Sequence, residues 1–438
     1  MSSRVDVAKQ VRESKIGQLH IAVLLAGFVV MLSDGYDLAS MGMVVPVLVE
    51  EWGVEASAFS FALSAVLIGV FVGSSSAGYL GDRIGRRTTI CLMLLFGFVG
   101  MASTPLVHTM EQLTIARFCT GIGVGGSIPV TLAYTQEFMP ARIRNLLTTF
   151  MYTGAGMGSV VAGAFGPTII DAGGWELVFI VGAAVPALVC IMVIFFLPES
   201  IRFLVARKCD AEKAGLLLER VDRSFKYEPG QTFFVDSPRS SSGVIGQLFR
   251  GRMLRITLLV WTLFFANQFL VFFSGTWLPT LLVGEGVEFD TALYVIAIFN
   301  VGGIIGGIAF GLAGDRVRPT KVLAVTYSLA VVALAIFSLS SSSTIALMLV
   351  GLICGATIIG SSFLLGVTTT GIYPVQARAT GVGSALAVGR LGAIVSPLLG
   401  GLLVGMGLGF APMMWASAVP AASAAAIALI LWRIRADA

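Results

Sequence analysis

The chain has 438 residues, of which 56% are hydrophobic and 12% are charged, and its formal net charge is +4. A soluble globular domain contains roughly 25% charged residues. The composition, with a mean hydropathy of +0.92, therefore excludes an ordinary soluble protein and indicates a polytopic membrane protein. The five cysteines are scattered, which favours apolar packing over a disulfide set or a metal site.

Twelve apolar segments are long enough to cross a bilayer, which takes about 20 residues as a helix. We predict an all-α membrane protein whose spans 1 to 12 cover residues 20–47, 58–80, 88–106, 112–137, 147–169, 176–197, 254–279, 291–313, 321–339, 344–369, 379–402 and 410–432. Of the 28 Lys and Arg residues, 26 then lie on one side of the membrane, in connections or, for Arg255 and Lys321, within the first two residues of a span. Arg117 and Arg390 lie deep inside spans. Because basic residues concentrate in cytoplasmic connections, both termini are predicted to be cytoplasmic.

A long hydrophilic stretch divides the spans into two sets of six. The predicted parts are a cytoplasmic N-terminal segment (1–19), an N-terminal six-helix half (20–197), a cytoplasmic central loop (198–253), a C-terminal six-helix half (254–432) and a cytoplasmic tail (433–438). Gly81-Asp82-Arg83 after span 2 is echoed by Gly314-Asp315-Arg316 after span 8. Such a repeat indicates two related halves with a transport site between them at the midplane.

Span 1 contains two acidic residues, Asp34 and Asp37, in an otherwise uncharged stretch. A carboxylate at the bilayer centre costs on the order of 2.5–3.5 kcal/mol on insertion scales, and residues at i and i+3 share one helix face. Intramembrane acids are often proton or ion relays, so we predict that this pair couples transport to protons. The alternative is a structural pair bonded to neighbouring helices.

Two arginines lie inside spans. Arg390, near the middle of span 11, is predicted to anchor a substrate carboxylate, because a planar guanidinium binds a carboxylate with two parallel hydrogen bonds. The alternative is an ion pair with Asp34 or Asp37 across the two halves. Arg117 in span 4 either couples proton movement or only pairs with an acid.

The turn between spans 2 and 3 is rich in glycine and arginine. Its glycines permit a tight turn, Asp82 can accept hydrogen bonds from helix N-terminal amides, and its arginines can clamp helix C-termini or carboxylates. We predict a gating loop formed by Gly78, Asp82, Arg83, Gly85, Arg86 and, in the second copy, Asp315 and Arg316. The second copy lacks the second glycine and the arginine pair. The alternative to a gating role is that the arginines of the motif only supply the positive charge typical of cytoplasmic connections.

Two further groups complete the candidate site. Glu137 closes span 4 and is predicted to form a cytoplasmic gate with Arg142 or Arg144. Tyr36, Gln268 and Phe272 are predicted to contact the substrate, and Tyr152 is a weaker candidate, because a ring can stack where a polar group lies nearby. Most aromatic residues of a span, however, face lipid.

The motifs resemble those of a known family. Gly78-Tyr-Leu-Gly81-Asp82-Arg83-Ile-Gly85-Arg86-Arg87 resembles the loop signature of the major facilitator superfamily, and Asp34-Gly35-Tyr36-Asp37 resembles the Asp-Gly-x-Asp signature of its aromatic acid:proton symporters. The resemblance implies a fold of two pseudo-symmetric six-helix halves in the bacterial cytoplasmic membrane. It also implies a need for Asp34, Asp37, Asp82 and Arg390 in transport.

The function implied is uptake of an aromatic carboxylate, such as benzoate or a hydroxybenzoate, with protons by alternating access. In the mechanism we expect, protonation of Asp34 or Asp37 removes a buried charge, Arg390 holds the carboxylate, and rocking of the halves releases both inside. A monomer is expected to suffice, with lipids, protons and the acid as partners, and with neither a metal, another cofactor nor nucleic acid.

Other functions remain open at this point. Pro198-Glu199-Ser200 after span 6 resembles sugar porters, so a carrier of a sugar or of another organic acid is possible. A proton-coupled drug exporter shares the loop motif but would not need Arg390. A non-transporting sensor or a membrane enzyme fits less well, because the sequence contains neither an appended soluble domain nor a nucleophile–base pair.

Overall fold

A computed structural model describes residues 4–206, 211–222, 224–234, 248–340, 343–374 and 377–436. Helices dominate this part of the chain. Those that carry the spans are Gln18–Trp52 (span 1), Ser60–Ile84 (span 2), Arg86–Ser103 (span 3), Met110–Phe138 (span 4), Arg144–Phe196 (spans 5 and 6), Gly251–Gly284 (span 7), Phe289–Arg316 (span 8), Pro319–Phe337 (span 9), Thr344–Ile372 (span 10), Arg378–Gly405 (span 11) and Phe410–Ala436 (span 12). Shorter elements are the strands Arg4–Asp6 and Thr232–Phe234, the helices Val7–Glu13, Ile201–Ala206 and Ala211–Val221, and the 3-10 turns Ala56–Phe59 and Thr104–Leu106.

The helical segment Arg144–Phe196 contains two membrane crossings. Its 53 residues would extend about 80 Å as one helix, against a hydrocarbon core of about 30 Å. The backbone leaves the helical conformation at Gly173 and at Gly174, whose φ of +73° suits glycine. With this break, the eleven long apolar helices found in the described residues provide twelve crossings, and the predicted all-helical fold is confirmed.

The two halves repeat one packing scheme. In the N-terminal half, span 1 packs against span 5, span 2 against span 4, and span 3 against span 6; the same pairing recurs as spans 7 and 11, 8 and 10, and 9 and 12. Gly35 and Gly158 show how closely the first pair approaches, because a β-carbon on either would collide with backbone of the facing helix. Small residues are typical where membrane helices pack this closely.

The halves meet at one end of the bundle. We call the end that carries both termini the near end and the opposite one the far end. A single apolar cluster at the far end joins Leu48 and Phe59 of the N-terminal half to Trp277 and Leu281 of the C-terminal half. Towards the same end, the Ser64 hydroxyl donates to the Ile394 carbonyl at 3.1 Å, linking spans 2 and 11.

At the near end, by contrast, each half has an apolar cluster of its own. One contains Val23 and Val130 of the N-terminal half, and the other contains Val260 and Ala424 of the C-terminal half. The far end is therefore closed by contacts between the halves, while the near end is where the halves separate.

The N-terminal segment folds together with part of the central loop. Strand Arg4–Asp6 pairs in parallel with Thr232–Phe234, and the Gln10 side-chain amide donates to Asp222 Oδ2 at 2.6 Å. The helix Ala211–Val221 lies in the predicted central loop. The strand pairing is a finding that the sequence does not predict, because two three-residue strands carry no measurable periodicity.

Closure of the far end can be tested with a disulfide. A β-carbon placed on Gly405 would lie 3.3 Å from Ser57 Cβ, close to the Cβ–Cβ separation of about 3.5–4.5 Å in disulfides. We expect Ser57→Cys combined with Gly405→Cys to cross-link under mild oxidation in membranes. After cleavage at a protease site introduced in the central loop, the halves should stay linked on a non-reducing gel, and each single variant should separate. Separation despite both thiols reacting with a maleimide would show an open far end.

Candidate functional site

The acidic residues of span 1 face the interior of the N-terminal half. Asp37 Oδ1 lies 2.9 Å from Arg117 Nη2 on span 4, and the two side chains are 1% and 0% exposed. Asp34, 5% exposed, lies one turn away on the same face. Its Oδ2 is 2.8 Å from Ser127 Oγ, also on span 4. Thus both aspartates are bonded to span 4 and turned away from the C-terminal half.

A small cavity adjoins both carboxylates. Its volume is about 10 Å³, and its polar lining consists of Ser33, Asp34, Asp37, Thr120 and Ser127. That volume accommodates about one water molecule. Several buried polar atoms of the ion pair, Asp37 Oδ2 and Arg117 Nε and Nη1, have no hydrogen-bond partner among the described residues. The cluster is thus polar, and several of its atoms are free to accept or donate further hydrogen bonds. The Arg117 guanidinium also lies over the Phe179 ring, 5.5 Å from the ring centre.

Arg390 has a different environment. It is half-buried in span 11, and no acidic side chain lies within ion-pair distance in the part of the chain that the structure describes. Its electrostatic neighbour is Tyr152 of span 5, so the guanidinium faces the opposite half. Among the described residues, Arg390 forms no ion pair with Asp34 or Asp37, which was the alternative prediction. Asp37 pairs with Arg117 instead.

The other predicted substrate residues lie in different places. Gln268 is half-buried and lies against Gly389, the residue before Arg390, since a β-carbon on Gly389 would lie 3.1 Å from its Cγ. Phe272 is half-buried against Val66 of span 2 and Ala393 of span 11. Tyr36 instead lies inside the N-terminal half, 4% exposed, with its hydroxyl donating to the Val178 carbonyl at 3.0 Å. The structure thus brings Phe272 to the interface between the halves, places Gln268 against span 11 within the C-terminal half, and keeps Tyr36 inside the N-terminal half.

Ser127 and Thr120 are site residues that the sequence reasoning missed. Thr120 and Ser127 follow Arg117 by 3 and 10 positions, and with 3.6 residues per turn this spacing places all three on nearly the same side of the span 4 helix. That spacing was an available signal. It was masked by the abundance of serine and threonine elsewhere in the spans, where most of them donate to their own helix backbone.

The glycine- and arginine-rich turn fastens four spans of the N-terminal half. Arg86 Nη2 lies 2.8 Å from Asp82 Oδ1, and its Nε lies 3.4 Å from Glu137 Oε1. The backbone N–H of Arg87 donates to Glu199 Oε1 at 3.0 Å, and its Nε donates to the Val193 carbonyl at 3.2 Å. The turn thus holds the C-terminus of span 6, because an arginine side chain can donate hydrogen bonds to the free carbonyl groups at a helix end.

Gly85 allows this arrangement. Its φ is +100°, a conformation that side chains disfavour, and a β-carbon there would collide with the Glu199 carboxylate. Gly78, by contrast, has open space around it. Arg83 lies over the Tyr79 ring at 4.4 Å, and the Asp82 side chain remains 72% exposed.

Two gate predictions need correction or restriction. Glu137 pairs with Arg86 and accepts a hydrogen bond from the Ser200 hydroxyl. The predicted pairing of Glu137 with Arg142 is therefore wrong, and the Arg142 side chain is exposed. The side chain of Arg144, the other predicted partner, lies outside the described residues. The error arose because sequence proximity favoured the following loop over the loop after span 2. Asp315 and Arg316 end span 8 as exposed side chains, with no ion pair among the described residues.

We expect the buried ion pair between Asp37 and Arg117 to contribute to the stability of the fold. Asp37→Leu leaves the Arg117 guanidinium buried without a counter-charge, and breaking a buried pair in this way costs about 3–5 kcal/mol. Arg117→Met should cost less, because a lone carboxylate can take up a proton. The double variant should recover most of the loss. Thermal unfolding of the purified variants in detergent measures all three, and additive losses in the double variant would mean that the two side chains act independently.

Comparison with known proteins identifies the family. The sequence model of the Major Facilitator Superfamily matches residues 23–371. The 4-hydroxybenzoate transporter PcaK of Acinetobacter baylyi is 32% identical over 428 residues, covering 97% of this chain and 93% of its own. The gallate transporter of Pseudomonas putida is 32% identical over 432 residues, covering 97% and 94% of the two chains.

A solved structure has the same fold. The xylose transporter XylE from E. coli in a partially occluded inward-open conformation superposes with a TM-score of 0.73 at 19% identity, covering 95% of this chain and 98% of that one. The resemblance inferred from the motifs is confirmed. The chain is an integral membrane protein and not an enzyme, and it belongs to the major facilitator superfamily.

Proposed function

We propose that this protein takes an aromatic carboxylate, such as benzoate or a hydroxybenzoate, into the cell together with protons by alternating access. The observation that carries the proposal is the division of the intramembrane charges. Asp37 and Arg117 neutralise each other inside the N-terminal half, whereas Arg390 faces the other half with no acidic partner among the described residues.

Arg390 is suited to the carboxylate of the substrate. A guanidinium presents a rigid pair of donors that matches a carboxylate, and a half-buried cation without a counter-ion favours an anionic ligand. Gln268 lies against Gly389, the residue before Arg390, and Tyr152 faces Arg390 from span 5. The aromatic part of the substrate is supported by the names of the relatives, which are transporters of 4-hydroxybenzoate and gallate, and by Phe272 at the same interface.

Alternating access is supported by the unequal ends of the bundle. The concentration of basic residues in connections at the near end favours a cytoplasmic near end, in a bacterial inner membrane. The far-end closure then makes this an inward-facing state. Reclosing the near end would bring the exposed Asp82 carboxylate towards the C-terminal half, which gives the glycine- and arginine-rich turn a role in gating. One chain contains both halves, so the monomer is the proposed working unit.

The test is uptake of labelled benzoate, 4-hydroxybenzoate, protocatechuate and gentisate by cells, with and without an uncoupler. We expect uncoupler-sensitive accumulation of at least one acid. Arg390→Ala removes a charged hydrogen bond of about 1.5–3 kcal/mol, equivalent to an affinity loss of about tenfold to a hundredfold, and Arg390→Lys should lose part of it. Arg255→Ala, at an exposed arginine of span 7, is the matched control.

Two outcomes would redirect the proposal. If the protein reaches the membrane but accumulates none of these acids, the substrate is another organic anion or the direction is export. If Arg390→Ala transports like the parent, the carboxylate anchor is wrong and a drug exporter becomes the better hypothesis.

A further inference from the structure

The buried cluster of the N-terminal half contains two carboxylates but only one guanidinium. We propose that Asp34 is the group that carries the transported proton, and that Asp37 stays ionised against Arg117 throughout the cycle. This inference rests on the proposed proton-coupled function and deepens it, because the two aspartates are otherwise equivalent candidates. It makes Ser127 a positioning residue that holds the protonated side chain.

Hydrogen-bond counting at Ser127 carries the assignment. Ser127 Oγ lies 2.8 Å from Asp34 Oδ2 and also 2.8 Å from the Val124 carbonyl oxygen. A serine hydroxyl has one hydrogen to donate, whereas a carbonyl oxygen can only accept. If the hydroxyl donates to Val124, the bond to Asp34 is complete only when Asp34 is the donor. The two equal distances therefore fit a carboxylic acid O–H at Asp34 donating to Ser127 Oγ.

Charge balance leads to the same assignment. Asp37 and Arg117 together are neutral, so an ionised Asp34 would leave the buried cluster with one uncompensated negative charge, which is strongly unfavourable away from water. Arg117, bonded to Asp37, is the cation of this cluster among the described residues. The other groups that line the cavity beside Asp34 include Ser33 and Asp37 on span 1, uncharged Met93, Leu94 and Gly97 on span 3, Thr120 and Ser127 on span 4, and Pro186 on span 6.

The neighbouring cavity offers a route for the proton. It touches both aspartates and Thr120 and accommodates about one water molecule. A hydronium ion in the cavity gives up its proton: one of its O–H bonds breaks, an O–H bond to an Asp34 carboxylate oxygen forms, and a water molecule and a neutral side chain remain. Release of the proton to water reverses this step. No other group in the cluster changes protonation, so one proton is carried per cycle.

Infrared spectroscopy tests the assignment on the purified full-length protein in lipid nanodiscs. The carbonyl stretch of a protonated carboxylic acid should be present at neutral pH, should be lost in Asp34→Asn, and should titrate as the pH is raised. In Ser127→Ala the protonated form loses its hydrogen-bond acceptor, so the band should titrate at lower pH than in the parent. Ser159→Ala removes a hydroxyl that bonds to the adjacent Gly35 carbonyl at 3.0 Å and should titrate like the parent.

The direction of the Ser127→Ala shift decides between the two bonding patterns. If Ser127 donated to an ionised Asp34, its removal would destabilise the ionised form and move the titration to higher pH. A shift upward, no shift, a band that survives Asp34→Asn, or no such band in the parent would each overturn the proposal. These measurements need no substrate, so they remain decisive even if uptake of aromatic acids is not found.

Discussion

The ion pair between Asp37 and Arg117 is the interaction on which the transport site depends. Both side chains are withdrawn from solvent, and an unpaired charge on either of them would be strongly unfavourable in the interior of a membrane protein. Because Arg117 is committed to Asp37, it is not available to neutralise Asp34. Because Asp37 is committed to Arg117, it is not available to neutralise Arg390. One pairing thus leaves an acid that can take up a proton and a cation that can take up an anion.

The two remaining ionisable groups, Asp34 and Arg390, lie in different halves of the molecule. Asp34 points into the N-terminal half, where Ser127 holds it, and Arg390 faces Tyr152 across the interface between the halves. In the proposed cycle, substrate and proton would therefore not compete for the same side chains. Coupling between them has to pass through the relative position of the halves, which the far-end cluster and the contact from Ser64 to Ile394 hold together in this state.

Much of the fold could be predicted from the sequence, because crossing a bilayer requires long apolar helices and leaves little choice of secondary structure. The break between spans 5 and 6 at Gly173 and Gly174 falls where the two predicted spans were separated. Periodicity assigns a residue to a helix face but does not say which helix lies opposite. For that reason the partner of Glu137 was mistaken, Ser127 went unnoticed, and the ion pair of Asp37 with Arg117 was only one of two alternatives.

In the proposed function, a single protonatable acid and a single anion anchor would make transport electroneutral. The most direct measurement is accumulation of labelled 4-hydroxybenzoate in proteoliposomes that contain only the purified protein, under a pH gradient without membrane potential and under a potassium-valinomycin potential at equal pH. A pH gradient, acidic outside, should drive accumulation, and an inside-negative potential alone should leave the acid equally distributed. Accumulation driven by the inside-negative potential would mean that more than one proton moves with each anion, which would contradict the single proton site at Asp34.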